Sequence, residues 1–404
     1  MYYALNEHVY LVKGHVRSCI YDFNSSKLYS VNNALSEKIS MLNEGKITED
    51  NEELNKIYEK LIKLKILMRS KSPIYRKIDE IKKADSGCDF AWIEITNKCN
   101  LKCIHCYNES NIQHNAIMPL SDYKIAVDAI SKLKIKRVQI IGGEPFIDKK
   151  RLKDMLEYTI GKFDFIEIFT NGTLISEEWY EFLKKNNIHI ALSVYSYEAE
   201  MHDKVTKCKG SWGKTNKTIE KLKSYGIPYR VCNVLMKNIN IGDRTTNLYH
   251  LSDTKDIVRM SGRADFSLLS DELIRKKLIT KKTFQKPIKE CFCSRLISGH
   301  NCFKNKIYIS VNMEVFPCVM ERRLRHCVIN ENKEIVLDDS IRNLSKDRIK
   351  ECSCCEYRYA CFDCRPNSLS EDLWEKPWYC TYDPMVGEWK DEDEFIMRLK
   401  EKWC

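Results

Sequence analysis

The stretch TNKCNLKCIHCYN, residues 96–108, is the most informative part of this chain because it groups three cysteines. Cys99, Cys103 and Cys106 follow the spacing CxxxCxxC. Three thiolates this close can hold an iron–sulfur cube at three corners, which leaves the fourth iron open to a bound molecule, as catalytic zinc keeps an open position. Structural zinc is the alternative, since clustered cysteines also bind that ion. The spacing favours a catalytic iron–sulfur site.

Composition limits the class of protein. The 404 residues are 43% hydrophobic and carry a formal charge of +10. No apolar run is long enough to cross a bilayer and the first residues lack a secretory pattern, so we expect a cytoplasmic protein with no membrane partner. Nineteen cysteines in a reducing compartment indicate metal clusters rather than disulfides. The dispersed lysines argue against a nucleic-acid partner and would suit an acidic peptide.

Length and pattern predict three domains, which span residues 1–85, 86–285 and 286–404. The first combines short strand patterns with two helical patterns, the first of which ends at Gly45. The strand patterns lie at residues 2–5, 9–12, 18–23 and 28–31. This order predicts a winged-helix-like module, which could capture an extended peptide by adding it to a sheet edge. A structural cap on the next domain is the alternative, and residues 69–86 are interpreted as a linker.

The second domain alternates strand, loop and helix, which predicts an α/β fold with parallel strands and right-handed crossovers. The expected strands are Ala91–Thr96, Arg137–Ile141, Phe165–Thr170, Ile188–Val194, Tyr229–Met236 and Lys255–Arg259. Sites in such folds lie beyond the carboxyl ends of the strands. The candidate site residues found there are Gly142, Gly143, Glu144 and Pro145 after the second strand, Thr170 and Asn171 after the third, and Ser193 after the fourth.

The cysteine triplet followed by Tyr107, together with the run GGEP at residues 142–145, resembles the radical S-adenosylmethionine (SAM) enzymes. The resemblance implies a partial (β/α)6 TIM-like barrel in which the open iron binds SAM and an electron from a [4Fe-4S] cluster releases a 5′-deoxyadenosyl radical. It also implies that GGEP meets the SAM amino group and that Ser193 contacts the ribose. Tyr107 and Leu235 are candidates for contact with the adenine, with a plain core position as the alternative for Leu235. Relatives often place an arginine after a His-Asp pair to meet the SAM carboxylate. Here the candidates for that charge are Lys207, Lys209 and Arg259.

The last third carries a second group of cysteines, which resembles the SPASM iron–sulfur extension and its two auxiliary [4Fe-4S] clusters, three clusters in all. The resemblance assigns one cluster to Cys352, Cys355, Cys361 and Cys380, and the other to Cys302, Cys318 and Cys364. Either Cys291 or Cys293, with Cys293 preferred, would supply the fourth ligand of the second set. Met313 at a usual glycine position and the short gap between Cys361 and Cys364 depart from the family pattern. A zinc ribbon is the alternative for the paired cysteines.

Glu321, three residues beyond Cys318, is the candidate catalytic carboxylate, because some relatives carry one in this segment. His105, inside the cysteine loop, is expected to shield the cluster.

The resemblance predicts a maturase of ribosomally synthesised (RiPP) precursor peptides. The run CEYRYACFDCRP at residues 355–366 looks like maturases of this family, including the grasp-with-SPASM group. The N-terminal module resembles the PqqD-like recognition element (RRE), which binds the leader of the precursor peptide. Its expected partners are the precursor peptide and a low-potential donor such as flavodoxin or ferredoxin. The alternatives are a sulfatase-maturase-like oxidation of Cys or Ser, against which the N-terminal module argues, and a non-catalytic iron–sulfur or zinc protein. Thioether crosslinks, other rings and epimerisation all begin with hydrogen abstraction, so the bond formed stays open.

Overall fold

The computed structural model describes residues 2–43, 52–81, 87–242, 256–329, 333–367 and 369–403. None of the helices in these ranges is long and apolar enough to cross a membrane. The predicted helix end at Gly45 lies outside the described residues.

The N-terminal region contains the four expected strands and two helices, followed by a strand that the sequence did not predict. In chain order these elements are β1 Tyr2–Leu5, β2 Val9–Lys13, β3 Arg17–Asp22, β4 Lys27–Asn32, α1 Asn33–Asn43, α2 Glu52–Lys63 and β5 Leu67–Ser70. Strands β2, β3 and β4 form an antiparallel sheet, while β5 pairs with β1. The apolar run that forms β5 directly follows a helical pattern, which hid the strand in the sequence.

Five parallel strands form the centre of the molecule in the order β10-β9-β8-β7-β6. The strands of this region are β6 Phe90–Glu94, β7 Arg137–Ile141, β8 Phe165–Thr170, β9 His189–Ser193, β10 Tyr229–Cys232, β11 Val234–Leu235 and β12 Asp256–Ile257. The predicted fifth strand is interrupted at Asn233, and its second half pairs in parallel with β12, the predicted sixth strand. The order of strands matches the partial barrel expected from the sequence. The first residue of the predicted sixth strand, Lys255, lies outside the described residues.

The helices of this region are α3 Leu120–Lys132, α4 Lys149–Thr159, α5 Glu178–Lys185, α6 Ala199–Thr206, α7 Ser211–Tyr225 and α8 Asp271–Lys277. Helices α3, α4, α5 and α7 cover the outer face of the sheet, whereas α6 and α8 contribute to a second buried cluster. Apolar side chains from the strands and from α3, α4, α5 and α7 form one buried cluster, with Ile93, Ile140 and Ile168 fully buried. Burial on both faces explains why these strands have nearly continuous apolar sequences.

The C-terminal third continues the central sheet. Its elements are α9 Glu290–Ile297, α10 Asn301–Asn305, β13 Lys306–Ile309, β14 Glu314–Phe316, β15 Cys327–Val328, α11 Asp339–Arg342, α12 Lys350–Ser353, β16 Tyr382–Asp383, β17 Glu388–Trp389 and α13 Glu392–Trp403. Strand β13 pairs in parallel with β6, and β14 and β15 follow antiparallel, which makes a sheet of eight strands. The sequence analysis placed this region in a separate domain and did not predict the shared sheet.

The turn between β2 and β3 packs on the C-terminal third. The backbone N–H of His15 donates to the Cys354 carbonyl at 2.8 Å, and the Tyr21 hydroxyl donates to the Glu356 carbonyl at 3.0 Å. A Cβ atom on Gly14 would lie 2.9 Å from the Glu356 nitrogen. The N-terminal sheet therefore contacts the backbone of the segment that carries two predicted cluster cysteines.

Candidate active site

A cavity of about 540 Å³ lies at the carboxyl ends of the central strands. It contains most of the residues that the sequence proposed for the first cluster and for SAM. These are Cys99, Cys103, Cys106, Tyr107, Gly142, Gly143, Thr170, Asn171 and Ser193. The residues come from separate strand ends, as expected for a site in a parallel α/β fold.

Backbone hydrogen bonds fix the cysteine loop against helix α6. The N–H groups of Lys102 and Ile104 donate to the carbonyls of Thr206 and Val205 at 3.2 and 3.0 Å. From the other side, Arg263 Nε donates to the Cys103 carbonyl at 2.9 Å. The loop is thus held in one conformation by contacts that leave its sulfur atoms facing the cavity.

The paired glycines allow the cysteine loop to approach the end of β7. The Gly143 N–H donates to the Thr96 carbonyl at 2.7 Å. A Cβ on Gly142 would lie 2.6 Å from the Thr96 oxygen, and a Cβ on Gly143 would overlap the Lys98 carbonyl. The sequence analysis attributed these glycines to a close ligand, but the backbone of the cysteine loop already requires them.

Glu144 and Pro145 do not line the cavity, although the sequence placed them among the SAM-binding residues. Glu144 is fully buried, and its carboxylate accepts hydrogen bonds from Thr170 Oγ1 at 2.7 Å and from the Asn171 N–H at 2.8 Å. Burial raises the pKa of this carboxyl group, and the hydrogen bonds from Thr170 and Asn171 oppose that effect. Glu144 therefore joins the ends of β7 and β8, and Pro145 begins the 3₁₀ turn that follows.

N–H groups surround the Cys99 sulfur. The Leu101 N–H lies 3.4 Å and Asn171 Nδ2 3.9 Å from Cys99 Sγ. Burial, with the neighbouring charge of Cys106, raises the pKa of the Cys103 thiol to about 12. Thiols of this kind ionise when a metal centre binds them. The three cysteines line the same cavity and lie near one another, with N–H donors beside Cys99. This set of residues fits an iron–sulfur cluster, in which each thiolate binds a different iron, better than a single metal ion.

The opposite side of the cavity is formed by β9, β10 and β11. Val234 and Ile257 line it, whereas Leu235, predicted to contact adenine, does not and packs in an apolar cluster. Asn233 is buried, and its Nδ2 donates to the carbonyls of Val194 and Tyr195 at 3.0 and 2.9 Å. Its Oδ1 has no partner among the described residues, so it can accept a hydrogen bond from a ligand.

Of the three candidates for the positive charge, Arg259 lines the cavity, whereas Lys207 and Lys209 are exposed and do not line it. Arg259 pairs with Asp256 at 2.8 Å. Burial would lower the pKa of its guanidinium, but neighbouring charges, with Cys364 the largest, outweigh burial and raise it. Arg259 thus lies between the cavity and the second group of cysteines.

A polar row crosses the strands at the floor of the cavity and was missed in the sequence. Trp92 Nε1 donates to Gln139 Oε1 at 2.8 Å, and Gln139 Nε2 donates to Glu167. Arg230 completes the row with two hydrogen bonds to Glu167, each 2.8 Å. The sequence did contain a signal for this row, because Gln139 and Glu167 each stand in the middle of an otherwise apolar strand sequence.

The predicted auxiliary cysteines form two neighbouring groups. Burial, with the charges of Cys364 and Cys302, raises the pKa of Cys318 to about 11. In the other group, burial and the charges of Cys361 and Cys380 raise the pKa of Cys355. Cys352 belongs to that second group, since Cys380 and Cys361 also raise its pKa. These mutual effects indicate that the cysteines of each predicted ligand set lie near one another, while their assignment to two clusters stays a prediction.

Cys293 is not brought to Cys302, Cys318 and Cys364. It is fully buried in an apolar cluster with Tyr21 and Tyr357, and Cys291 is exposed. All eighteen cysteines within the described ranges are free thiols. In the same ranges no three histidine, cysteine or carboxylate side chains converge as they would around a single metal ion.

Glu321 is also placed differently from the prediction. It is 1% exposed, outside the cavity lining, and both of its oxygens accept from Arg323 at 2.8 and 2.6 Å. A carboxylate held in this way is not positioned to take a proton from a substrate, which corrects the catalytic role expected for it. His105, in contrast, lines the cavity and packs edge-to-face against Tyr195, with ring centroids 4.8 Å apart.

Met313, at the position where the resemblance expects glycine, has a backbone conformation that favours glycine. Its φ of 63° lies in the left-handed region, between β13 and β14.

Residues 93–247 match the Radical SAM superfamily. The matched segment contains the cysteine loop, the paired glycines and the strand ends that form the cavity, and the chain therefore carries a radical SAM domain.

Among individual proteins, the chain is similar to the antilisterial bacteriocin subtilosin biosynthesis protein AlbA of Bacillus subtilis, with 33% identity over 179 residues. That match covers 44% of this chain and 38% of AlbA, so it spans well under two thirds of the relative. The fold is similar to that of SuiB from Streptococcus suis. The structure of SuiB bound to S-adenosylmethionine has a TM-score of 0.51 at 13% identity, and covers 93% of this chain and 98% of SuiB. SuiB bound to its precursor peptide SuiA gives a TM-score of 0.50, again at 13% identity, and covers 92% of this chain and 98% of that one. At this identity the likeness establishes the fold.

Proposed function

We propose that this chain is a radical SAM peptide maturase that abstracts hydrogen from a ribosomally synthesised precursor peptide, with formation of an intramolecular crosslink. The observation that carries the proposal is the cavity in which three cysteine thiols face the ends of five strands. When bound, a [4Fe-4S] cluster and SAM would supply the 5′-deoxyadenosyl radical that abstracts the hydrogen. Cys99, Cys103 and Cys106 would hold that cluster.

The chain's own residues would bind and orient the cofactor and substrate. The backbone around Gly142 and Gly143 and the strand-end side chains of Thr170, Asn171 and Ser193 would hold SAM. Buried Asn233 offers a free acceptor oxygen, and Arg259 offers a positive charge for a carboxylate. The apolar part of the lining, which includes Val234 and Ile257, would limit the access of water and so protect a radical from side reactions.

Two auxiliary [4Fe-4S] clusters are part of the proposal. Cys352, Cys355, Cys361 and Cys380 would hold one. The other would have Cys302, Cys318 and Cys364, a set that leaves one iron without a cysteine ligand because Cys293 packs elsewhere. Closing a ring between two substrate atoms removes two hydrogen atoms, of which the 5′-deoxyadenosyl group takes one. The auxiliary clusters would accept the remaining electron, and the remaining hydrogen leaves as a proton.

A peptide substrate is supported by the N-terminal region and by the relatives. In the described residues no strand pairs with the outer edge of β4, so this edge has free backbone groups for an extended leader. AlbA takes part in bacteriocin biosynthesis, and SuiB binds its precursor peptide. We place the protein in the cytoplasm, with a flavodoxin or ferredoxin as electron donor.

The test is an anaerobic reaction of the reconstituted protein with SAM, dithionite and short peptides encoded beside its gene. We expect 5′-deoxyadenosine and a peptide that has lost two hydrogen atoms by mass spectrometry. The Cys103→Ala variant should give neither product, while Cys208→Ala, at a cysteine outside all three groups, should give both. Release of 5′-deoxyadenosine without any change in peptide mass would reject the crosslink, and its absence from iron-loaded protein would reject the radical SAM reaction.

A further inference from the structure

We propose that Lys346 is a positioning residue for Cys361 and that its charge raises the reduction potential of the auxiliary cluster. The inference rests on the proposed function, because it requires a cluster held by Cys352, Cys355, Cys361 and Cys380. It assigns a role to a buried lysine that the proposed function leaves without one.

The contacts of Lys346 carry this inference. The side chain is 8% exposed, and its Nζ lies 3.2 Å from Cys361 Sγ and 3.0 Å from Asp363 Oδ1. Arg365 forms a second ion pair with Asp363. The ammonium group therefore directs one N–H toward the sulfur of the proposed ligand and another toward a carboxylate that fixes its position.

Water is largely excluded from this arrangement. Lys346, Asp363 and Arg365 are all buried, and the cavity beside them measures about 10 Å³, which is too small for more than one water molecule. A charge in such surroundings acts on its neighbours more strongly than a charge on the surface does. The lysine should therefore affect the cluster through Cys361 with little screening by salt.

The direction of the effect follows from charge. Reduction adds one electron to a cluster and makes it more negative, while no covalent bond forms or breaks. A fixed positive charge and an N–H···S hydrogen bond both stabilise the more negative form, and both raise the potential of an iron–sulfur cluster. Asp363 opposes the effect in part, but Arg365 already neutralises that carboxylate.

The experiment compares Lys346→Met with the parent protein in a background of Cys99→Ala, Cys103→Ala and Cys106→Ala. This background leaves the two auxiliary clusters, whose potentials are measured by redox titration with dithionite monitored by EPR. In Lys346→Met we expect the ratio of reduced to oxidised cluster at a given potential to fall about tenfold for one of the two auxiliary clusters. This change corresponds to a midpoint potential about 59 mV more negative. The midpoint potential of the other auxiliary cluster should stay the same.

Lys350→Met is the matched control, because Lys350 lies four residues further on and pairs with Asp372 on the surface. It should leave both potentials unchanged. In Lys346→Met, Asp363 keeps Arg365 as its partner. Lys346→Gln, which retains a neutral hydrogen-bond donor, gives a second measurement in case the methionine variant does not bind iron. Iron-loaded variants of Lys346 with both potentials unchanged would overturn the inference. A parent protein that binds no iron or sulfide would instead overturn the proposed function.

Discussion

Gly143 shows at the scale of one residue how the fold restricts the site. A Cβ on this residue would overlap the Lys98 carbonyl and lie 2.8 Å from the Asn97 oxygen. Both oxygens belong to the backbone of the cysteine loop, so they cannot move without moving Cys99.

We therefore predict that Gly143→Ala destabilises the protein by about 1–3 kcal/mol through overpacking and reduces the iron bound by the triplet. Thermal unfolding and iron analysis would measure the two effects. Gly213→Ala is the control, because nothing lies within 4 Å of a Cβ at this position in α7. Alanine favours a helix over glycine by about 0.5–1 kcal/mol, so this variant should be slightly more stable. If both variants unfolded at the same temperature, the steric explanation would be wrong.

His202 makes stability depend on pH. It is 1% exposed, and burial lowers its pKa to about 4. The unfolded chain takes up this proton below its ordinary pKa of about 6.5, whereas the folded protein does so near pH 4. The stabilisation is therefore complete above pH 6.5 and is lost as the pH falls toward 4, with an upper limit of about 3 kcal/mol. Urea unfolding at pH 7 and pH 5 should show a smaller difference for His202→Gln than for the parent.

Individual residues were predicted to different degrees. The cysteine groups and the strand-end residues around the cavity could be predicted from their spacing in the sequence, because residues a few positions apart, or at the ends of neighbouring parallel strands, stay close in the folded protein. The positions of Glu321 and Cys293 could not. Arg323 lies only two residues from Glu321, but the sequence does not show that this ion pair is buried outside the cavity. Cys293 packs with apolar residues that are distant in the chain, such as Tyr21. Glu144 was recognised as important, but its hydrogen bonds within the protein were not visible in the sequence.

At the scale of elements, β13 was the main feature that sequence could not predict. The five parallel strands follow from apolar runs and the helices between them, whereas the interruption of the predicted fifth strand at Asn233 does not. The pairing of β13 with β6 joins residues more than 200 positions apart, and no local pattern encodes it. Its anchor is buried Glu94, whose carboxylate accepts from the Tyr308 hydroxyl and from Asn108 Nδ2, each at 2.6 Å.

Arg322 should stabilise this junction of strands. Its guanidinium lies 3.7 Å from the carboxylate of Glu94 and 2.8 Å from the Tyr308 hydroxyl. We expect Arg322→Met to lower the free energy of unfolding by about 1–3 kcal/mol, because a buried carboxylate loses its positive partner. Arg325→Met removes a more exposed pair with Glu314 and should cost less than about 1 kcal/mol. Equal losses in chemical denaturation would show that Glu94 does not depend on Arg322.

At the scale of the whole molecule, the N-terminal sheet and the C-terminal third share a buried cluster. Tyr10, Tyr21 and Val12 contribute from one side, and Tyr357 and Tyr382 contribute from the other. The N-terminal region is therefore in a position to support the Cys352–Cys355 segment as well as to bind a leader.

This contact predicts an effect of Gly14 on a distant cluster. A Cβ on Gly14 would lie 3.0 Å from the Cys354 oxygen and 2.6 Å from the Arg17 oxygen. We expect Gly14→Ala to push the turn away from this segment and to reduce auxiliary iron while the triplet cluster is retained. Iron analysis and EPR would measure the loss. Gly87→Ala, with open space around the added methyl group, should keep the full iron content.

The shared sheet has a consequence for biosynthesis. While the chain is being translated, the edge of β6 stays without its parallel neighbour until residue 306 has left the ribosome. An unpaired strand edge on a nascent polypeptide is prone to join other chains. Slow elongation through the last third should therefore increase insoluble product during expression, and chaperones that shield such edges should restore the yield.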